Sequence, residues 1–191
     1  MVLPITKYGN PVLRQKGARI EQITPEIKQL IADMFETMYA ARGIGLAAQQ
    51  VGHALQLAVI DVREATDRPS RLQLRGEPAD VAGFMPLVLI NPQLQPGGDK
   101  LPGPEGCLSF PEMYSDIVRP ESVDVSALNS KGEPIEFGCG GLLARVVQHE
   151  TDHLHGILFI DRMSAADKAD LKAELEELQT ATKAELAKKK K

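Results

Sequence analysis

The sequence lacks the features that mark secreted and membrane proteins. Its 191 residues contain no tryptophan and two cysteines, too few for the disulfide framework that stabilises small secreted domains. No run of about eighteen apolar residues occurs, although 43% of the residues are hydrophobic, so we expect no membrane-spanning helix. The first residues, MVLPITKYGNPVLRQKG, do not have the basic and apolar regions of a secretory signal. We therefore expect a cytoplasmic protein.

The chain also lacks an excess of basic residues. It has 22 lysines and arginines against 26 aspartates and glutamates, and the last four residues, 188–191, are all lysine. An acidic body with a basic end argues against binding to DNA or to a membrane surface. No internal repeat or linker divides the sequence, so we expect one domain spanning residues 1–191.

The segment QHETDHLHGI, residues 148–157, carries the strongest chemical signal. His149 and His153 are four residues apart, a step that returns to nearly the same side of an α-helix. Both imidazoles can therefore bind one divalent metal, while Glu150 projects beside them and can act on a water at that metal. The alternative interpretation is a surface helix with two solvated histidines.

A metal site of this kind needs a third protein ligand. His155 would point to the far side of the helix, and Cys139 would lie about 15 Å away, near the start of the same helix. Cys107 lies in LPGPEGCLSFP, where proline and glycine exclude a helix and predict a shaped loop or a strand edge. Such a loop can bring a thiolate to the helix. A small buried hydrophobic residue is the alternative role for Cys107.

Apolar spacing predicts an α+β fold, with short antiparallel strands packed around a central metal-binding helix. Thr24 and Pro25 suit the N-cap and first position of an earlier helix, which Gly43 ends. Strands are predicted at residues 57–62, 87–90, 122–128 and 135–137. The polar segment 63–85 is expected to be a long surface loop with, at most, a short strand at 72–74.

The central helix is predicted to begin after Gly140 and Gly141 and to be buried. Arg145 is the charged exception in its apolar surroundings; either it pairs with Glu105 or Asp152, or it faces solvent. A further helix is expected at residues 164–187, because Ser164 with Asp167 resembles a capping box. The basic tail, residues 188–191, follows it.

Three segments carry a family resemblance. GIGLAAQQVG at 43–52, EGCLS at 105–109 and QHETDHLHG at 148–156 resemble the three motifs of the bacterial-type peptide deformylases, in the family's order. The resemblance implies a hydrolase that removes the N-formyl group from N-formylmethionine at the start of newly made polypeptides and releases formate. The first motif also matches a dinucleotide fingerprint formally, but the predicted helix before it and strand after it are the reverse of what that fingerprint requires.

The resemblance also implies roles for individual residues. Cys107, His149 and His153 would bind the metal, and Glu150 would be the general base. The side-chain amide of Gln50 and the backbone N–H of Leu108 would donate to the developing oxyanion. Residues near the motifs are expected to line a slot for the methionine side chain, although ordinary core packing explains each of them equally well: Ile44, Gly45, Phe110, Leu142 and Val146.

The metal and the partners follow from the resemblance as well. It implies Fe²⁺ as the physiological metal, one per chain, whereas a thiolate with two imidazoles would also suit Zn²⁺, Ni²⁺ or Co²⁺. The expected partners are N-formylmethionyl nascent peptides and, through the basic C-terminal end, ribosomal RNA. A solvated helix with a frayed tail is the alternative for that end.

Two other classes of protein stay open. A zinc endopeptidase can use the same pair of histidines, but the upstream Cys107 and the lack of a downstream ligand at a familiar spacing count against it. A non-catalytic module with a structural metal needs a fourth ligand, for which only His53, Cys139 and His155 remain among the histidines and cysteines.

Overall fold

The fold of the chain is seen in a computed structural model that describes residues 1–188. Its main feature is a seven-stranded antiparallel sheet with the strand order β1-β2-β5-β8-β9-β3-β4. A separate hairpin, β6–β7, lies outside this sheet. The strands are β1 Gly45–Ala47, β2 Leu57–Ile60, β3 Ser70–Leu74, β4 Glu77–Pro78, β5 Leu87–Leu101, β6 Pro104–Cys107, β7 Phe110–Asp116, β8 Arg119–Leu128 and β9 Pro134–Gly141.

Five α-helices accompany the strands. They are α1 Pro25–Ala40, α2 Val81–Phe84, α3 Leu142–Leu154, α4 Ala165–Asp170 and α5 Lys172–Lys188. Helix α1 begins as predicted, since the Thr24 hydroxyl accepts a hydrogen bond from the Ile27 N–H at 3.4 Å and Pro25 occupies the first position. Within residues 1–188, no helix has the length and apolar character needed to cross a bilayer.

Helix α3 lies at the centre of the fold. Twelve of its thirteen residues are buried, Arg145 being the exception, and it contacts strands β1, β2, β3, β8 and β9. Its apolar residues Leu143, Ala144, Val147 and Leu154 are fully enclosed. The predicted α+β architecture, with antiparallel strands around a central helix and helical structure at the C-terminal end, is therefore confirmed.

Three strand predictions, at residues 87–90, 122–128 and 135–137, were too short. Residues 87–90 are only the first part of β5, which continues for fifteen residues to Leu101. Its pairing with β8 shifts register between Ile90 and Gln93, where Pro92 lies, and again between Gly97 and Lys100, where Gly98 lies. Such bulges absorb residues that a regular ladder excludes, and apolar periodicity gives no sign of them.

The prediction of a loop at residues 63–85 is partly wrong. The short strand expected at 72–74 is present within β3, but strand β4 and the short helix α2 were not expected. Strand β3 joins the main sheet by pairing with β9, with Leu72 opposite Cys139, and Leu72 is buried. The polar composition of the segment favours a loop, but the burial of Leu72 against the distant strand β9 stabilises a strand instead.

Cys139 lies in β9, three residues before α3 begins, and is therefore near the start of that helix as predicted. Burial raises the pKa of its thiol to about 12. The C-terminal helix differs from the prediction. Ser164 caps a helix, accepting from the Asp167 N–H at 3.0 Å, but Leu171 divides the predicted helix into α4 and α5. Helix α5 reaches Lys188, and the other three residues of the basic tail lie outside the described residues.

Candidate metal centre

Cys107, His149 and His153 come together in the folded chain. One ligand atom from each residue lies within 4.8 Å of those of the other two, and Cys107 Sγ is 3.3 Å from His153 Nε2. The two imidazole rings meet edge to face, with centroids 5.0 Å apart. One thiolate and two imidazoles form a donor set suited to Zn²⁺, Fe²⁺, Co²⁺ or Ni²⁺ and unsuited to Mg²⁺ or Ca²⁺.

The β6–β7 hairpin places the thiol. Its ladder is regular from Pro104 to Gly106 and then irregular, so that Cys107 pairs with Phe110 around a two-residue turn. Gly106 allows the hairpin to close, because a Cβ there would lie 2.6 Å from the ring of Tyr114. The prediction of a shaped strand edge at this segment is confirmed.

Glu105 orients His149. Its Oε2 lies 2.9 Å from His149 Nδ1, which leaves Nε2 of that ring to face the metal position. The carboxylate also accepts hydrogen bonds from Arg119, at 2.6 and 2.9 Å, and from Arg145 at 2.8 Å. Burial alone would raise the pKa of Glu105, but the bonds from His149 and Arg119 outweigh it and lower the pKa to about 2. Glu105 is therefore ionised at neutral pH.

A chain of ion pairs extends from Glu105; it is buried as far as Asp152 and ends at the exposed Arg162. Arg119 is 2% exposed and also donates to Asp152 at 2.8 Å, and Arg162 closes the chain by donating to Asp152 at 2.6 Å. Arg145 was predicted to pair with Glu105 or Asp152, and it pairs with Glu105. Sequence reasoning did not find Arg119, since nothing near it in the chain indicates that it meets a carboxylate fourteen residues away.

Glu150 is buried beside the three candidate ligands. It is 4% exposed, and its Oε2 has no hydrogen-bond partner among the described residues. Burial raises the pKa of this carboxyl to about 7, which suits a group that must accept and return a proton near neutrality. Gly45 makes room for it, because a Cβ at that position would lie 2.9 Å from Glu150 Cδ.

The two histidines have opposite electrostatic surroundings. Burial, followed by the charge of His149, lowers the pKa of His153 well below its usual value. Burial also disfavours a charged His149, but hydrogen bonds to Cys107 and Glu105 raise its pKa overall. His149 therefore lies between the Glu105 carboxylate and the Cys107 sulfur, and the pKa of its imidazole is raised for that reason.

Gln50 reaches the site from the 3₁₀ turn Ala48–Val51. Its Oε1 accepts from the Ala47 N–H at 2.9 Å, and its Nε2 lies 3.4 Å from Cys107 Sγ and 3.3 Å from Ser109 Oγ. The first bond fixes which end of the amide is the donor, so the NH₂ group points toward the candidate ligands.

The N-terminal segment ties these parts together, which sequence reasoning did not find. The Thr6 N–H donates to the Gln50 carbonyl at 2.7 Å, and the Tyr8 N–H donates to the Ser109 carbonyl at 3.0 Å. Residues 6–8 therefore bridge the turn carrying Gln50 and the hairpin carrying Cys107.

A cavity of about 590 Å³ opens over this cluster. Its polar lining residues include Gln50, Cys107, His149 and Glu150. Its apolar walls include every residue predicted for the methionine slot together with Leu108: Ile44, Gly45, Leu108, Phe110, Leu142 and Val146. Phe110 has a packing role too, since it is 1% exposed and its ring centroid lies 4.9 Å from that of Tyr8.

The remaining histidines and the second cysteine lie outside the cluster. Within residues 1–188, Cys107, His149 and His153 form the one group of three or more histidine, cysteine or carboxylate side chains close enough together to hold a metal ion. His155 is exposed, and its Nδ1 lies 2.9 Å from the Thr151 carbonyl. A structural metal would need a fourth protein ligand, which none of these residues supplies.

A buried pair of histidines, a thiolate, an adjacent buried carboxylate and an open cavity define the class of single-metal hydrolases. Comparison with known proteins specifies the family. Residues 2–169 match the family model described as polypeptide deformylase. The peptide deformylase of Methylacidiphilum infernorum is 47% identical over 178 residues, covering 93% of both chains, and that of Opitutus terrae is 42% identical over 187 residues, covering 96% of both.

Solved structures agree with the sequence comparisons. The peptide deformylase from Synechococcus elongatus in complex with actinonin has a TM-score of 0.74 at 41% identity, over 94% of this chain and 85% of that one. Peptide deformylase 1B from Arabidopsis thaliana has a TM-score of 0.81 at 38% identity, over 96% of this chain and 93% of that one.

The chain therefore belongs to the peptide deformylase family. It is a metal-dependent hydrolase that removes the N-formyl group of nascent polypeptides. The family and the activity implied by the three motifs are confirmed, and neither the endopeptidase nor the structural-metal interpretation is favoured.

Proposed function

We propose that Cys107, His149 and His153 bind one divalent ion and that Fe²⁺ is the physiological one. The observation that carries this proposal is the convergence of the three ligand atoms within 4.8 Å at the base of an open cavity. Such an ion, when bound, activates water and polarises the formyl oxygen. The donor set alone allows Zn²⁺, Ni²⁺ and Co²⁺, and the choice of Fe²⁺ rests on the family resemblance.

Glu150 is the proposed general base. Its carboxylate faces the cavity next to His149 and has an oxygen without a partner among the described residues. It accepts the proton of the attacking water and later returns it to the departing amine, so the products are formate and a free N-terminus.

Gln50 and Leu108 are the proposed oxyanion donors. The Gln50 NH₂ is turned toward Cys107, and Leu108 lies in the turn directly after that cysteine, with its side chain against Gly43. Both residues line the cavity. Donors held in position before the reaction stabilise the negative charge without a reorganisation cost.

The methionine side chain is proposed to occupy the apolar walls formed by Ile44, Gly45, Phe110 and Val146. All four residues line the cavity, and an unbranched thioether fills irregular apolar space well. Glycine at position 45 leaves space for both the methionine slot and the Glu150 carboxylate. A Cβ at this position would lie 2.9 Å from Val146 Cγ1 as well as 2.9 Å from Glu150 Cδ.

Formate release from a formyl-Met tripeptide tests the metal assignment. Protein prepared anaerobically with Fe²⁺ is expected to be more active than protein prepared with Zn²⁺, and to lose activity in air because a ferrous thiolate site is sensitive to oxygen. Metal content is measured on both samples. Equal activity of the two preparations, with one ion bound per chain, would contradict the choice of iron.

Substitution of Gln50 tests the oxyanion role. We expect Gln50→Ala to lower kcat by about 10²–10³-fold, the usual effect of losing one oxyanion donor, with a much smaller change in KM. Gln49→Ala is the matched control, because Gln49 is the neighbouring buried glutamine and does not line the cavity. Similar changes in kcat and KM for Gln50→Ala would assign it to ordinary substrate binding.

We further propose that residues 1–191 form one catalytic domain and that the enzyme acts in the cytoplasm.

We also propose that the basic C-terminal end of the enzyme contacts ribosomal RNA. The supporting observation for this contact is that α5 reaches Lys188, which three more lysines follow in the sequence. Cosedimentation with ribosomes at low salt tests it, since removal of residues 188–191 should weaken an electrostatic contact. Unchanged cosedimentation would exclude this contact.

A further inference from the structure

Three cationic side chains stand at the mouth of the cavity. Lys7 and Arg42 are exposed and Arg68 is half-buried, and all three line the opening. They come from the N-terminal segment, the end of α1 and the segment before β3. Because separate parts of the chain converge here, the positive charge is a property of the folded cavity.

These cations have no carboxylate partner among residues 1–188. Seven of the chain's ten arginines form ion pairs with carboxylates, whereas Arg42 and Arg68 do not, and neither does Lys7. The paired arginines are Arg14, Arg19, Arg63, Arg71, Arg119, Arg145 and Arg162. The charges at the mouth are therefore available to a ligand.

The carboxylates of the cavity do not cancel this charge. Glu105 is neutralised by Arg119 and Arg145, and Glu150 is buried deep in the site. Glu112, which is exposed at the rim, is the one remaining acidic side chain. A protein of net charge −4 thus presents an excess of positive charge at the entrance to its site, where low-dielectric walls focus the field.

A nascent chain must pass this mouth when its first residue is bound. With the formyl group at the metal ligands and the methionine side chain against the apolar walls, the following residues leave through the opening. An extended peptide advances about 3.3 Å per residue, so the second and third residues are the ones that meet the rim.

We propose that this enzyme prefers nascent chains with aspartate or glutamate at the second or third residue, and that Arg42 and Arg68 carry the preference. The inference rests on the deformylase function proposed for the site. Exposed pairs of this kind are individually weak, so the preference is graded: neutral chains are processed more slowly, and basic ones are the poorest substrates.

The test compares formyl-Met peptides that differ in one residue. The peptides carry Asp, Asn or Lys at the second or third position and are amidated at the C-terminus, so that no terminal carboxylate competes for the rim. At low salt we expect kcat/KM for the better Asp peptide to exceed that for its Asn counterpart by about three- to tenfold, the sum of two exposed ion pairs. The difference should lie mainly in KM and shrink as salt is added.

Two variants assign the effect to named residues. In the double variant with Arg42→Gln and Arg68→Gln, the ratio of kcat/KM for the Asp peptide to kcat/KM for the Asn peptide should be close to one. Arg75→Gln is the matched control: Arg75 is exposed and unpaired and has a φ of 53°, against 54° for Arg42, but it lines a different cavity on the sheet. The Asp-to-Asn ratio of kcat/KM for the Arg75→Gln variant should equal that of the parent enzyme.

The possible failures can be told apart. Rapid deformylation of Asp and Asn peptides at equal rates by the parent enzyme would overturn the preference and leave the proposed function intact. A preference that survives the double substitution would remove Arg42 and Arg68 as its cause. No turnover of any formyl peptide by metal-loaded protein would remove the proposed function and the preference with it.

Discussion

Glu150→Ala should abolish formate release while the protein keeps its metal. The loss of a positioned general base typically lowers turnover by about 10²–10⁴-fold. Metal binding should persist because the three candidate ligands are other residues, with Cys107 Sγ 3.3 Å from His153 Nε2. The measurements are formate release from a formyl-Met tripeptide and metal content of the same sample.

Two further variants make this experiment decisive. Glu150→Gln keeps the shape of the side chain and should be nearly as inactive, since an amide cannot accept the proton of water. Glu136→Gln removes an exposed carboxylate of β9 and should match the parent enzyme. Loss of bound metal in Glu150→Ala would place Glu150 among the ligands instead.

Glu105→Gln should destabilise the protein and weaken its metal binding together. The substitution leaves Arg119, which is 2% exposed, without its main carboxylate, and breaking a buried ion pair typically costs about 3–5 kcal/mol. It also removes the carboxylate that orients His149 at 2.9 Å. The loss of such a supporting group typically weakens metal affinity by about 10–100-fold.

The stability difference should depend on pH in a defined direction. The pKa of Glu105 is lowered to about 2 in the folded protein from an ordinary value of 4.5. The unfolded chain therefore takes up a proton before the folded one does, and stability falls as the pH drops from about 4.5 toward 2. The advantage of the parent protein over Glu105→Gln should be complete above about pH 5 and decline below it.

Urea unfolding at neutral and acidic pH, with metal affinity from a competing chelator, measures both effects. Glu136→Gln again serves as the control, since an exposed carboxylate should change the free energy of unfolding by less than about 0.5 kcal/mol. An equally small change for Glu105→Gln at neutral pH would mean that Arg119 is satisfied by Asp152 alone.

The buried charge network explains why the central helix can carry polar chemistry. Residues His149, Glu150, Asp152 and His153 are all buried on α3, which would be costly without partners. Glu105 lies against His149, Arg119 and Arg162 pair with Asp152, and Cys107 Sγ lies 3.3 Å from His153 Nε2. Glu150 Oε2 and His153 Nδ1 have no hydrogen-bond partner among the described residues, and burial raises the pKa of Glu150, the group that is proposed to exchange a proton.

The sequence by itself determined the features that depend on short spacings. The four-residue step from His149 to His153 predicts a shared helix face because helical geometry is fixed locally. The cap at Thr24 and the non-helical segment around Cys107 follow from cap and turn chemistry in the same way. The family, and with it the reaction, followed from three such segments in order.

Only the tertiary structure decided which distant groups meet. His149 and Glu105 are 44 residues apart, and Leu72 joins the sheet opposite Cys139. The three cations at the mouth of the cavity, Lys7, Arg42 and Arg68, likewise come from three separate segments. Contacts of this kind are selected by the burial and charge neutralisation of the whole chain, and no local period or turn signal encodes them.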